Sequence, residues 1–151
     1  MTVTFFGHAD TPDGVEPLLA DTLRDLIEHQ GATQFYVGNK GNFDRMVRKQ
    51  LRRLSSEYPH IHYAVVLAYM PGKRSECCEA DDTDTIFPEE IARAHPRYAI
   101  SHRNRWLVER ADTVVTYVIY SFGGAAQFKE LAEKKGKRII SLADMLRQRR
   151  R

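Results

Sequence analysis

Cysteine is almost missing from this chain: Cys77 and Cys78 are the only two among 151 residues. Adjacent cysteines rarely form a disulfide, because the geometry is strained. No CxxC pair exists, which excludes a structural zinc site of the usual spacing. The expectation is a reduced, partly exposed pair in a loop. Long apolar runs are missing too. None approaches the roughly 20 residues that span a bilayer, and the start, Met1 to His8, lacks the basic-then-apolar order of a signal peptide. The sequence therefore predicts a cytoplasmic protein with no membrane contact.

Charge of one sign is also scarce. Twenty-three basic residues face 20 acidic ones, for a net +3. The basic residues gather at Arg147, Arg149, Arg150 and Arg151, and again at Arg45, Arg48, Lys49, Arg52 and Arg53. Neither group is interleaved with aromatic residues, so nucleic acid is not the expected partner. A solvated tail and a solvated helix face account for them. Dinucleotide and Walker fingerprints are absent as well: Gly38-x-x-Gly41 is neither. No acidic residue closes the second strand, as an NAD ribose would require, and no cofactor is expected. His60 and His62 share a strand face, but no third ligand stands near, so no metal site is expected.

What is present is a core. Hydrophobic residues make up 42% of the chain, enough for one domain over 1–151. Val3–Phe6, Gln34–Gly38, His62–Ala68, Thr113–Ile119 and Arg138–Leu142 read as strands. Between them run amphipathic helices. In the first, Val15, Leu18, Leu19, Leu23, Leu26 and Ile27 share a face. In the second, Phe43, Met46, Val47, Leu51 and Leu54 do. Pro88-Glu-Glu-Ile91 opens a short helical turn, and Ser101 is the expected N-cap of a helix through Arg110. Ala125–Lys135 forms a further helix, and a short one leads into the arginine tail. This alternation predicts a Rossmann-like α/β domain: a doubly wound, mostly parallel five-stranded sheet with helices on both faces and right-handed crossovers. The stretch 70–87, with Glu76, Glu79, Asp81, Asp82 and Asp84, shows no periodicity. It reads either as a lid over a ligand pocket or as a solvated loop with no role. The glycine and final glutamate of a calcium loop are missing from it.

In an open parallel sheet, ligands bind beyond the carboxyl ends of the strands. Three strands here end in glycine: Gly7-His8, the turn Gly38-Asn39-Lys40-Gly41-Asn42-Phe43-Asp44, and Gly123-Gly124-Ala125. Glycine admits close backbone approach, and the two longer turns lead into helix N-termini, where free N–H groups attract phosphate. Arg103 and Lys129 are candidate cations. Asp44 complements a helix dipole or accepts from a ribose hydroxyl. His8 touches ligand or is simply solvated; its ordinary pKa, about 6.5, suits acid–base work. Trp106 stacks on a base or belongs to the core.

Phe5-Phe-Gly-His8, Tyr36-Val-Gly-Asn-Lys-Gly-Asn-Phe-Asp44, Ala99-Ile-Ser-His-Arg-Asn104 and Gly123-Gly-Ala-Ala-Gln-Phe-Lys-Glu130 resemble a small bacterial family of the SLOG superfamily. That superfamily groups the DNA-processing Smf proteins with the Lonely Guy phosphoribohydrolases. The resemblance spans almost the whole chain and implies binding or processing of nucleotide-derived ligands. In the Lonely Guy pattern an Arg-Lys pair precedes the fourth strand, and Gly-Gly-x-Gly-Thr-x-x-Glu follows it. Here Arg103 holds the arginine position, with Asn104 in place of the lysine. Gly123 and Gly124 match the first two glycines. Ala126 replaces the third, Gln127 the threonine, and Glu130 falls on the glutamate.

Two functions follow as expectations. The first is a sensor, carrier or sequestering protein for a phosphorylated nucleotide-derived molecule held by Gly7, His8, Gly38, Asn39, Gly41, Asn42, Phe43, Asp44, Arg103, Asn104, Ser121, Gly123, Gly124, Ala125 and Ala126. The second is an N-glycosidase of the phosphoribohydrolase or deoxyribosyltransferase kind, with Arg103 and Glu130 catalytic. Glu130 equally suits a solvent-facing salt bridge. The resemblance and the apolar helices imply a homo-oligomer.

Overall fold

The computed structural model describes residues 1–69 and 84–149. Strands β1 (Thr2–Gly7), β2 (Gln34–Val37), β3 (His62–Val66), β4 (Asp84–Ile86), β5 (Thr113–Tyr117) and β6 (Arg138–Ser141) form one sheet. Their order is β4-β3-β2-β1-β5-β6, and every neighbouring pair is parallel. The connecting helices are α1 (Glu16–His29), α2 (Gly41–Glu57), α3 (Glu89–Ala92), α4 (Ala99–Arg110), α5 (Gly124–Lys134) and α6 (Leu142–Arg149).

Side chains alternate across each strand, and the two faces build two cores. Val3, Phe5, Phe35, Val65 and Val115 pack under α1, α2 and α6. Phe6, Val66 and Val114 pack under α3, α4 and α5, where Leu107, Val108, Phe128 and Ala132 are buried. The expected doubly wound α/β architecture is thus the observed one.

Two details differ. The sheet has six strands rather than five, because Asp84–Ile86 pairs in parallel with Ala64–Val66. Three residues at a sheet edge are too few to show a period, so this strand left no pattern in the sequence. The rest of that stretch, 70–83, lies outside the described residues, together with Cys77, Cys78 and the lid reading. The second difference is the start of α4. Ser101 is not its cap: a 3-10 turn over Pro96–Tyr98 leads directly into Ala99. The proline presets the backbone, and His95 Nδ1 accepts the Arg97 N–H at 3.1 Å.

The topology fixes where a crevice opens. From β1 the chain builds outward through β2, β3 and β4, then returns through α4 to place β5 on the other side of β1. The winding direction therefore reverses between β1 and β5, and their carboxyl ends diverge into a switch-point crevice.

Candidate functional site

A cavity of about 320 Å³ lies at this crevice. Gly7 and Ala9 come from the end of β1, and Gly38, Lys40 and Asp44 from the β2–α2 turn. Gly124 and Ala125 open α5. Phe5 and Phe6 of β1 contribute too, and the remaining wall is one stripe of α4: Ile100, Arg103, Asn104 and Leu107. That spacing puts all four on one helix face. An arginine and an asparagine therefore sit in a stripe whose flanking members are apolar.

Arg103 is only 4% exposed. Its Nη1 donates to Val66 O and to Asn39 Oδ1, both at 3.2 Å. Its Nε donates to Asn104 Oδ1 at 2.8 Å. Among the described residues Nη2 has no acceptor. The Arg103 bond also fixes the Asn104 amide, since only the oxygen can accept from Nε. The Asn104 NH₂ is left without a protein acceptor among the described residues, on a side chain that lines the cavity.

Asp44 is the counter-charge. Its Oδ2 accepts the Lys40 N–H at 3.1 Å. Burial pushes this carboxyl above its ordinary pKa, while Arg103, the Lys40 amide and Arg48 pull it back. Burial likewise lowers the Arg103 pKa and Asp44 raises it; an arginine so placed remains a cation. Gly38 is where the two charges meet. A Cβ there would lie 2.7 Å from Asp44 Oδ2 and 2.8 Å from Arg103 Nη1.

α5 supplies further donors. Its first intrahelical bond runs from Gln127 N–H to Gly123 O at 3.1 Å. The amides of Gly124, Ala125 and Ala126 precede it and have no acceptor within the helix. Gly123 turns the chain with φ at 96°, a conformation that favours glycine. A Cβ on Gly124 would meet nothing within 4 Å, so the approach to these amides is open.

Several predicted residues serve the scaffold instead. Phe43 is fully buried, and its ring occupies the space a side chain on Gly7 would need. Gly41, with φ at 88°, packs so that a Cβ would lie 2.6 Å from Ala9 Cα. Asn42 gives its backbone N–H to Ala9 O at 2.9 Å and its side chain to Thr11 O at 2.6 Å and Asp13 Oδ1 at 3.0 Å. The loop after β1 thus packs against the N-terminus of α2 and takes up its Asn42 amide.

His8 is buried beside the cavity. Its Nε2 accepts N–H bonds from Ile119 at 2.9 Å and Tyr120 at 3.4 Å, tying the loop after β5 to the end of β1. Burial lowers its pKa, against an opposing pull from Asp10. Ser121 and Gly123 are exposed, and Ala126 is half-buried. Glu130 does not reach the cavity. It is solvent-exposed and pairs with Lys134 at 3.3 Å. Trp106 lies against Tyr36, ring centroids 5.2 Å apart, with the Arg110 guanidinium 3.9 Å over its ring. Among the described residues no cluster of three or more His, Cys, Asp or Glu side chains is placed to hold a metal.

Phe5, Phe6, Ala9, Lys40, Ile100 and Leu107 line the cavity without being among the expected ligand-binding residues. The i, i+3, i+4, i+7 run of Ile100, Arg103, Asn104 and Leu107 carried the signal for the α4 wall. A larger groove of about 520 Å³ lies between α1, β6 and α6. It contains none of the glycine turns and none of the buried donors, and its position away from the switch point gives it no part in the site.

No helix among the described residues is long and apolar enough to cross a membrane. No protein-family model and no curated protein matches the chain.

Proposed function

We propose that this chain binds a phosphorylated nucleotide or nucleotide-derived small molecule at the carboxyl edge of its sheet, as a sensor, carrier or sequestering protein. The observation that carries this reading is the buried Arg103–Asn104 pair with donors to spare, facing a helix N-terminus made accessible by Gly124. A guanidinium and an array of N–H groups converging on one cavity suit an anion. Asp44 supplies an acceptor for a ribose hydroxyl. Membership of the SLOG superfamily, a cytoplasmic setting and assembly into a homo-oligomer belong to the same proposal and rest on the motifs and apolar helices of the sequence. The N-glycosidase reading assigns the catalytic carboxyl to Glu130. Glu130 stands in solvent, which favours binding over turnover.

The test is titration of nucleoside monophosphates against the wild type and Gly124→Val. The valine side chain enters open space, so folding survives while the approach to the α5 amides is blocked. Binding by the wild type and its loss in the variant are expected. Equal affinity in both would refute the assignment of the phosphate to α5.

A further inference from the structure

Five large apolar side chains are exposed among the described residues: Tyr69, Tyr98, Ile119, Tyr120 and Phe122. All five lie at the carboxyl edge of the sheet. Tyr69 follows β3, Tyr98 immediately precedes α4, which starts at that edge, and the other three follow β5. Apolar exposure of this kind is unremarkable when scattered; gathered on the one edge where a cavity rich in donors opens, it marks a binding surface.

Within this rim, one pair is pre-ordered. The Tyr120 and Phe122 rings stack with centroids 5.4 Å apart and planes 20° from parallel. Tyr120 is held from behind by the His8 ring, 4.6 Å away, and by its hydroxyl on Asp10 Oδ2 at 3.4 Å. Phe122 is 71% exposed. With one face on Tyr120, it has the other available. Phe122 precedes Gly124 by two residues, so about 7.6 Å of chain separates the ring's Cα from the helix end that opens the cavity. That distance lies within the reach of one nucleoside monophosphate.

We infer that the Tyr120–Phe122 pair is the platform on which the planar base of the ligand stacks, while its phosphate lies at Arg103 and the α5 N-terminus. The inference rests on the anion-binding reading above and adds what that reading leaves open: the ligand carries an aromatic heterocycle, and this pair recognises it. Base–aromatic stacking needs no edge hydrogen bonds and accepts any base by its π-face, so the pair selects for the presence of a base rather than its identity. A ring already stacked and braced loses little side-chain freedom on binding.

The experiment compares AMP with ribose 5-phosphate by calorimetry, on the wild type, Phe122→Ala and Phe122→Trp. The wild type is expected to prefer AMP. Phe122→Ala should weaken AMP roughly 5- to 150-fold, the range for one stacked base, and leave ribose 5-phosphate unchanged. Phe122→Trp should keep the preference for AMP. Equal affinity of the wild type for the two compounds overturns the inference and leaves the anion reading standing. So does an equal loss for both in Phe122→Ala, or a change of oligomeric state in that variant on gel filtration, which would make the rim a contact between copies. Failure of the wild type to bind either compound overturns both readings.

Discussion

At the scale of the residue, His8 shows how a strand-end side chain serves the site without lining it. Because Nε2 accepts two backbone N–H groups, the ring is neutral in the fold with its proton on Nδ1. Burial lowers its pKa, and Asp10 opposes that. The unfolded chain therefore takes up the proton first. Stability from this group is present above about pH 6.5 and is lost as pH falls through the lowered folded value. Melting temperatures from pH 7.5 to 5 should fall more steeply in the wild type than in His8→Gln, whose amide oxygen can still accept. Identical slopes would remove His8 from the account. The sequence placed this histidine at a strand end but left its partners open, since both donors lie more than 100 positions away. The glycines were legible as close approaches, but not what approaches. Phe43 fills the space over Gly7, and Asp44 and Arg103 fill that over Gly38. Ala9 fills that over Gly41, so of the five glycines only Gly123 and Gly124 are open and fit the ligand role directly.

At the scale of the element, register decides which side chains reach the crevice. On α5, Phe128 and Ala132 are buried against the sheet, and Ala125 lines the cavity. Glu130 falls on the opposite side, where Lys134 meets it one turn on. An exposed i,i+4 pair of this kind contributes about 0.3–0.5 kcal/mol. Glu130→Gln should therefore shift the melting temperature by no more than a degree or two. It should also leave nucleotide affinity and any background release of free base unchanged. A working general acid or base would instead cost about 10²–10⁴-fold on removal. Multiple-turnover base release from nucleoside monophosphates, lost in this variant, would restore the enzyme reading. The elements themselves were largely readable, because the helices carry long 3.6-residue periods and the central strands are continuous apolar runs. β4 was not, being three residues long at an edge. The start of α4 differs because Ser101 is a good cap by composition, whereas the chain enters the helix three residues earlier, with Tyr98 at the cap position after the turn that Pro96 opens.

At the scale of the whole molecule, the parallel sheet makes its two ends unlike. Every strand runs the same way, so the loops that follow β1, β2, β3 and β5 collect at one edge. The buried donors, the open helix N-terminus of α5 and the exposed aromatic rim occur there together. The opposite edge holds short returns such as Ala32-Thr33 and Ala111-Asp112, whose amides bond back to the fold, Ala32 to Leu26 O and Asp112 to Thr2 O. A ligand seated at the switch point should therefore act on one edge and leave the other untouched. Hydrogen exchange with saturating AMP tests this. Protection should rise most in 38–44 and 118–127, with smaller gains along the first turn of α4, while along α1, β6 and α6, which border the larger groove, amides that exchange by local opening should not change. Since a ligand that binds only the folded state adds about 2.7 kcal/mol at a hundredfold excess over Kd, the most protected core amides should slow uniformly as well. That global slowing separates binding from a local rearrangement of loops. Protection concentrated along α1 and β6 would move the binding site to the groove, where none of the buried donors could reach the phosphate.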